Sequence, residues 1–119
     1  MRLSEELRLR TKRYASDIIR FYVTLPQTRK EVAVLGHQLL RSGTSVAAHA
    51  REASRARSNP EFCSKLDGLL QEADESQLWL ELLQEDCGIK GEKIEPLIAE
   101  TGELLAIFVT IVSKVRSKS

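Results

Sequence analysis

Strong helix breakers interrupt this chain at three places, and between them apolar residues recur every three or four positions. Pro26, the Asn59-Pro60 pair and the glycines Gly88 and Gly91 are the punctuation. That spacing puts apolar side chains on one face of a helix and does not fit the two-residue alternation of a strand. A first helix is expected from about Ser4 to Leu25, with Leu7, Tyr14, Ile18, Phe21 and Leu25 on its stripe, ending against Pro26. A polar link, Gln27 to Lys30, follows. A second helix is expected from about Glu31 to Arg55, carrying Val32, Leu35, Leu39, Val46, Ala50 and Ala53. Asn59 as N-cap, Pro60 at the first helical position and Glu61 in the first turn mark the start of a third. It holds Phe62, Leu66, Leu69, Leu70, Ala73, Leu80 and Leu83, and ends near Cys87-Gly88, where glycine can take a left-handed cap. A fourth begins around Gly91 and carries apolar residues from Ile94 to Val115. Four long helices with short links give one all-α domain over residues 1–119, an antiparallel up-down-up-down four-helix bundle.

The fourth helix is more apolar than a monomeric bundle needs. Between Leu104 and Val112, Thr110 alone breaks the run, whereas one apolar stripe suffices to face a core. Two explanations serve: a second copy covers the surplus, or the helix is unusually deeply buried. The run Leu104 to Val109 is far short of the roughly 20 apolar residues that span a bilayer. The opening residues, MRLSEELRLRTKRY, contain no apolar core of a secretory signal. The expectation is a cytoplasmic protein without a membrane partner, with Cys63 and Cys87 as free thiols.

Net charge is +1, but the two signs are segregated. Residues 1–65 hold thirteen basic and six acidic side chains, whereas residues 66–105 hold two and eleven. Arg2, Arg8, Arg10, Lys12, Arg13 and Arg20 concentrate in the first helix and its approach, the best candidates for contacts with RNA or DNA phosphates. Tyr14 and Tyr22 could stack on bases, although their spacing with Ile18 also suits a core. The same basic run could instead pair with the acidic third helix of a neighbouring copy.

Within the second helix, Ser42, Gly43, Thr44, Ser45, Ala47, Ala48 and Ala50 have almost no bulk. Gly43 inside a helix costs about 1 kcal/mol relative to alanine, which a close approach of another backbone offsets. If the second and third helices form a hairpin, facing residues have numbers summing to about 116. Arg41 then faces Glu75, and Thr44 and Ser45 face Glu72, so these five residues are expected to form a polar layer that sets register.

The segment from Gln38 to Leu83, QLLRSGTSVAAHAREASRARSNPEFCSKLDGLLQEADESQLWLELL, resembles the signature region of a bacterial four-helix-bundle family. That family includes proteins encoded in intervening sequences of 23S ribosomal RNA genes and accessory variability proteins of diversity-generating retroelements. The Arg-Ser-Gly-Thr-Ser-Val run, the later Ser-x-x-Glu-Phe and the Glu-Ala-x-Glu carry the resemblance. It implies a homo-oligomeric bundle, a pentameric ring in members of known structure. It also implies nucleic acid and a reverse transcriptase as partners for the accessory proteins.

Signs of catalysis are sparse. His49 and Glu52 lie three apart, as do Glu72 and Glu75, but di-metal bundles use two Glu-x-x-His pairs plus a glutamate from each remaining helix. A Ser45, His49 and Glu72 triad would need a serine presented on a strained turn, and this serine lies inside a helix. Neither a glycine-rich phosphate loop nor a Gly-x-Ser-x-Gly or His-Glu-x-x-His motif occurs. The chain is therefore expected to be a non-enzymatic binding or scaffold protein with no cofactor and no metal. The alternative is a purely structural homo-oligomeric module.

Overall fold

The structure, a computed structural model, describes residues 1–118; Ser119, the last residue of the expected domain, lies outside them. Helices α1 (Glu5–Tyr22), α2 (Lys30–Ser54), α3 (Asn59–Glu85) and α4 (Ile94–Ser117) follow one another around a square, each antiparallel to the last. The molecule is an all-α four-helix bundle, 49 Å long and about 20 Å across.

Helix ends differ from expectation by local chemistry. Helix α1 stops at Tyr22, and Thr24 and Leu25 turn tightly, their amides bonding the Phe21 and Tyr22 carbonyls. Pro26 disfavours helical backbone in the residue before it, so the helix unwinds early while Leu25 still reaches the core. The N-cap of α3 is Ser58, whose hydroxyl accepts from the Glu61 amide; Asn59 is already helical, and Pro60 sits within the first turn. Gly88 and Gly91 take φ of 72° and 117°, the left-handed region, so the α3–α4 link extends to Lys93 and α4 starts at Ile94.

The expected stripes meet in one core, where Tyr14, Ile18, Leu39, Leu66, Leu80, Leu104 and Phe108 are fully buried. At its centre each helix contributes one hydroxyl. Ser42 Oγ lies 2.7 Å from Ser76 Oγ, and Tyr14 Oη lies 2.6 Å from Thr101 Oγ1. Ser76 and Thr101 also bond carbonyls on their own helices, at Glu72 and Leu97. Burial pushes the Tyr14 phenol upward, against the opposing pull of Thr101 and Ser76, so Tyr14 stays a neutral donor.

Small residues let α2 sit close to its neighbours. A Cβ at Gly43 would stand 2.9 Å from Ile18 Cγ1, and one at Gly36 would stand 2.8 Å from Leu25 Cδ1. The seam between α1 and α4 is the most open of the four. Arg10 closes it, with Nε and Nη2 donating to the two Glu100 carboxylate oxygens at 2.8 Å and Nη2 reaching Glu103 at 3.0 Å.

Helix α4 is long and apolar enough to cross a membrane by length and composition alone, so the short run noted above understates it. Its inward stripe, Ile94, Leu97, Thr101, Leu104, Phe108 and Val112, packs as one side of the bundle. Of its most apolar stretch, only 28% is buried, and Val109 is half exposed.

Candidate functional site

A groove of about 1060 Å³ runs between α1 and α2 toward the α2–α3 turn. Its floor includes Ala47 and Ala48, so the small-residue stretch has two uses: Ser42 and Gly43 face inward, and the alanines leave room outside. Arg8 and Lys12 on α1, Arg51 on α2 and Arg55 at the C-cap of α2 line it. Among the described residues, these four cations make no salt bridge, and Arg8 donates only to the Leu3 carbonyl.

Three carboxylates share the groove, each near a compensating group. Glu52 has Lys65 Nζ at 3.9 Å and His49 Nδ1 at 3.4 Å, the latter a close contact whose geometry falls short of a hydrogen bond. Glu61 pairs with Arg57 at 3.5 Å. Glu5 occupies the first turn of α1, where the helix dipole favours a negative charge. The uncompensated charge of the groove is thus positive.

The six basic residues anticipated for phosphate contacts divide into two groups. Arg8 and Lys12 line the groove, and Arg13 is exposed on the same helix near Glu100, whose carboxyl it helps to lower. The others are engaged elsewhere. Arg2 donates to the Ala56 carbonyl and Asn59 Oδ1 at 2.8 Å and lies over the Phe62 ring, strapping the N-terminus across the α2–α3 turn. Arg10 is the α1–α4 clamp. Hydrogen bonding to Glu100 holds its guanidinium far above the ordinary range, and the return bond holds the Glu100 carboxyl below its own. Arg20 pairs with Asp17 at 3.2 Å on the surface, away from the groove.

Arg51, Arg55 and Lys65 were not among those candidates. Their sequence signal was available: Arg51 and Arg55 are four apart and follow Ala47-Ala48, so cations and small residues share one side of α2.

The bundle has a solved counterpart. A family model, 23S rRNA-intervening sequence protein, matches residues 6–110. The chain belongs to the 23S rRNA-intervening sequence protein family. A crystal structure of a protein of unknown function from the S23 ribosomal protein family of Bacteroides thetaiotaomicron superposes with a TM-score of 0.80 at 33% identity. The match covers 88% of this chain and 96% of that one. Among curated proteins, no sequence matches.

In this 23S rRNA-intervening sequence family member, the polar layer expected from Arg41, Thr44, Ser45, Glu72 and Glu75 is replaced by another. Arg41 is exposed, and among the described residues no ion pair joins it to Glu75. Thr44 and Ser45 donate to carbonyls of their own helix, at Leu40 and Arg41, and not to Glu72. The hairpin register was nearly right, since Ser42 faces Ser76 and Glu52 lies near Lys65. The face was wrong. Ser42 and Gly43 lie on the inward arc of α2, and Arg41, Thr44 and Ser45 follow on its outer side. Among the described residues no cluster of His, Cys, Asp and Glu could hold a metal ion.

Proposed function

We propose that this 23S rRNA-intervening sequence family member is a non-enzymatic nucleic-acid-binding protein whose contact surface is the α1–α2 groove. The observation that carries the reading is the set of four cations without salt bridges, Arg8, Lys12, Arg51 and Arg55, around an alanine floor. Side chains already bound to carboxylates have little to offer a phosphate, whereas these exchange water and counterions for it, which drives association and makes it salt-dependent. Membership in a family described by the 23S rRNA intervening sequence puts RNA first among the nucleic acids to test.

The experiment is fluorescence anisotropy with a labelled structured RNA at low and near-physiological salt. Binding that weakens steeply with salt, and is lost when the four groove cations become glutamine, supports the reading. Neutralising Arg2, Arg10 and Arg20 instead is expected to leave affinity within about twofold, because those cations are engaged elsewhere. No binding at low salt would sink it.

A second reading is favoured by one observation, the outward apolar flank of α4. Val109 is 50% exposed there, and Leu78 on the neighbouring α3 is 46% exposed. Burial of that flank by further copies, up to the ring implied by the resemblance, would make the protein an assembly module. Analytical ultracentrifugation of Val109→Glu tests it: a shift to monomer supports the reading, and an unchanged mass refutes it.

A further inference from the structure

Four cations in two rows along a groove can select one kind of anion over another. Arg8 and Lys12 are four residues apart on α1, and Arg51 on α2 and Arg55 at its C-cap are also four apart. A rise of 1.5 Å per residue separates each pair by about 6 Å along its helix axis, comparable to the step between successive phosphates of one strand. Helices α1 and α2 run antiparallel, with Gly43 packed on Ile18. Along the groove Arg55 therefore stands toward Arg8 and Arg51 toward Lys12, one row of cations on each wall.

Taking the nucleic-acid reading above as given, we infer that the groove takes the phosphodiester backbone of one strand, laid along the α1–α2 axis, and does not read its bases. Each phosphate offers two free oxygens, one toward each wall, so two consecutive phosphates can each be held by one cation of α1 and one of α2. Between the cations lie the small side chains of Thr11, Ala47, Ala48 and Ser54, which leave space for a chain of tetrahedral groups. No aromatic ring lines the groove, so the platform on which single-stranded bases stack is missing from it. The two tyrosines lie elsewhere: Tyr14 is in the core, and Tyr22 is half-buried beside Gly36. Recognition by charge and spacing alone makes binding independent of sequence and leaves it to a modest number of phosphates.

Inorganic polyphosphate, which has the phosphates without sugars or bases, separates this inference from the broader reading. The full-length protein is titrated against a labelled RNA, then against RNAs of unrelated sequence, and the complexes are challenged with polyphosphate of similar length. Displacement by polyphosphate, affinities within about threefold across sequences, and a log–log salt slope of magnitude about 1 to 3 are expected. Ala48→Glu, at an exposed position, should weaken both ligands at least tenfold with an unchanged helical circular-dichroism spectrum; Arg55→Gln, a milder change, should weaken both by a smaller and equal factor. RNA binding that polyphosphate does not compete with, or that varies more than tenfold with sequence, overturns the backbone inference and leaves the nucleic-acid reading standing. Neither ligand binding at low salt overturns both. If Ala48→Glu and Arg55→Gln change the sedimenting mass and neither ligand binds, the groove belongs to a neighbouring copy and both are likewise overturned.

Discussion

The α1–α2 interface and the α1–α4 seam flank the same helix and are closed by opposite means. Against α2, α1 lies close: Gly43 makes room for Ile18, Gly36 makes room for Leu25, and Val32, Leu39 and Val46 fill the space behind. Against α4 it stands off, and long polar groups bridge the gap. Arg10 spans to Glu100 and Glu103, Tyr14 reaches Thr101, and below them a pocket of about 290 Å³ opens beside Phe21 and Leu97. The difference follows from connectivity. Helices α1 and α2 are joined by a short link that holds them adjacent from the start, so small residues can draw them together. Helices α1 and α4 come from opposite ends of the chain, 90 residues apart at the Arg10–Glu100 pair. Closing that seam fixes the alignment of the whole bundle, and directional bonds specify alignment better than apolar contact does.

If the close interface is the less forgiving of the two, Gly43→Leu should have the largest effect. The new side chain would begin inside the Ile18 contact, and overpacking of this kind costs about 3 kcal/mol or more. Urea unfolding followed by circular dichroism should give a fall of that order; an unchanged midpoint would refute the tight packing.

Removing the clamp should cost less and should depend on pH. Glu100 is held below the ordinary 4.5 of a glutamate first by the hydrogen bond from Arg10, with burial opposing. A carboxyl with a depressed folded-state pKa stabilises the fold above its unfolded value, and that contribution is lost as pH falls through the folded one. Glu100→Gln should therefore lose about 1–2 kcal/mol near neutral pH, discounted for partial exposure, and less as the acid limb is approached. Parallel unfolding curves of wild type and variant from about pH 7 to about pH 3 would show no pairing if their separation stayed constant.

The hydroxyl layer sharpens the comparison further. Tyr14→Phe breaks the bond across the seam but leaves Thr101 donating to the Leu97 carbonyl, so a loss of about 1 kcal/mol is expected. Ser42→Ala together with Ser76→Ala removes both partners of the bond between α2 and α3 and should be nearer neutral, because no buried group is stranded. A larger loss from the serine pair than from Tyr14→Phe would place the weight of the hydroxyl layer on the α2–α3 contact and not on the α1–α4 seam. The smallest effect belongs to Arg41→Glu, expected within about 0.5 kcal/mol and uncoupled from Glu75→Arg, since Arg41 points away from the bundle. Coupling in a double-mutant cycle would restore the polar layer that the structure replaces.

The residues that form the core were legible because a helix repeats its own face. Val32, Leu39, Val46 and Ala53 lie on one stripe whatever they pack against, and all four are buried. Gly43 was legible as a close approach because no local reason exists for glycine there. What could not be read was which side of a stretch of small polar residues turns inward. Ser42, Thr44 and Ser45 are nearly interchangeable in bulk and polarity, and only their places around the helix, at about 100° per residue, separate the buried Ser42 from the half-buried Thr44 and Ser45. The arginines divide for a related reason. Arg2, Arg10 and Arg20 have the same chemistry as Arg8, and only the position of Asn59, Glu100 or Asp17 beside them removes them from the free charge.

By itself, then, the sequence determined the number of helices, their approximate ends, the buried stripe of each and the sites of close approach, all consequences of short-range periodicity and backbone sterics. The tertiary structure alone decided which hydroxyls meet at the centre, which cations are neutralised, and that Arg8 and Lys12 share a groove with Arg51 and Arg55. Those outcomes depend on the rotation and register of helices distant in sequence, and a side chain of a given charge acquires its role from the neighbours that the packing supplies.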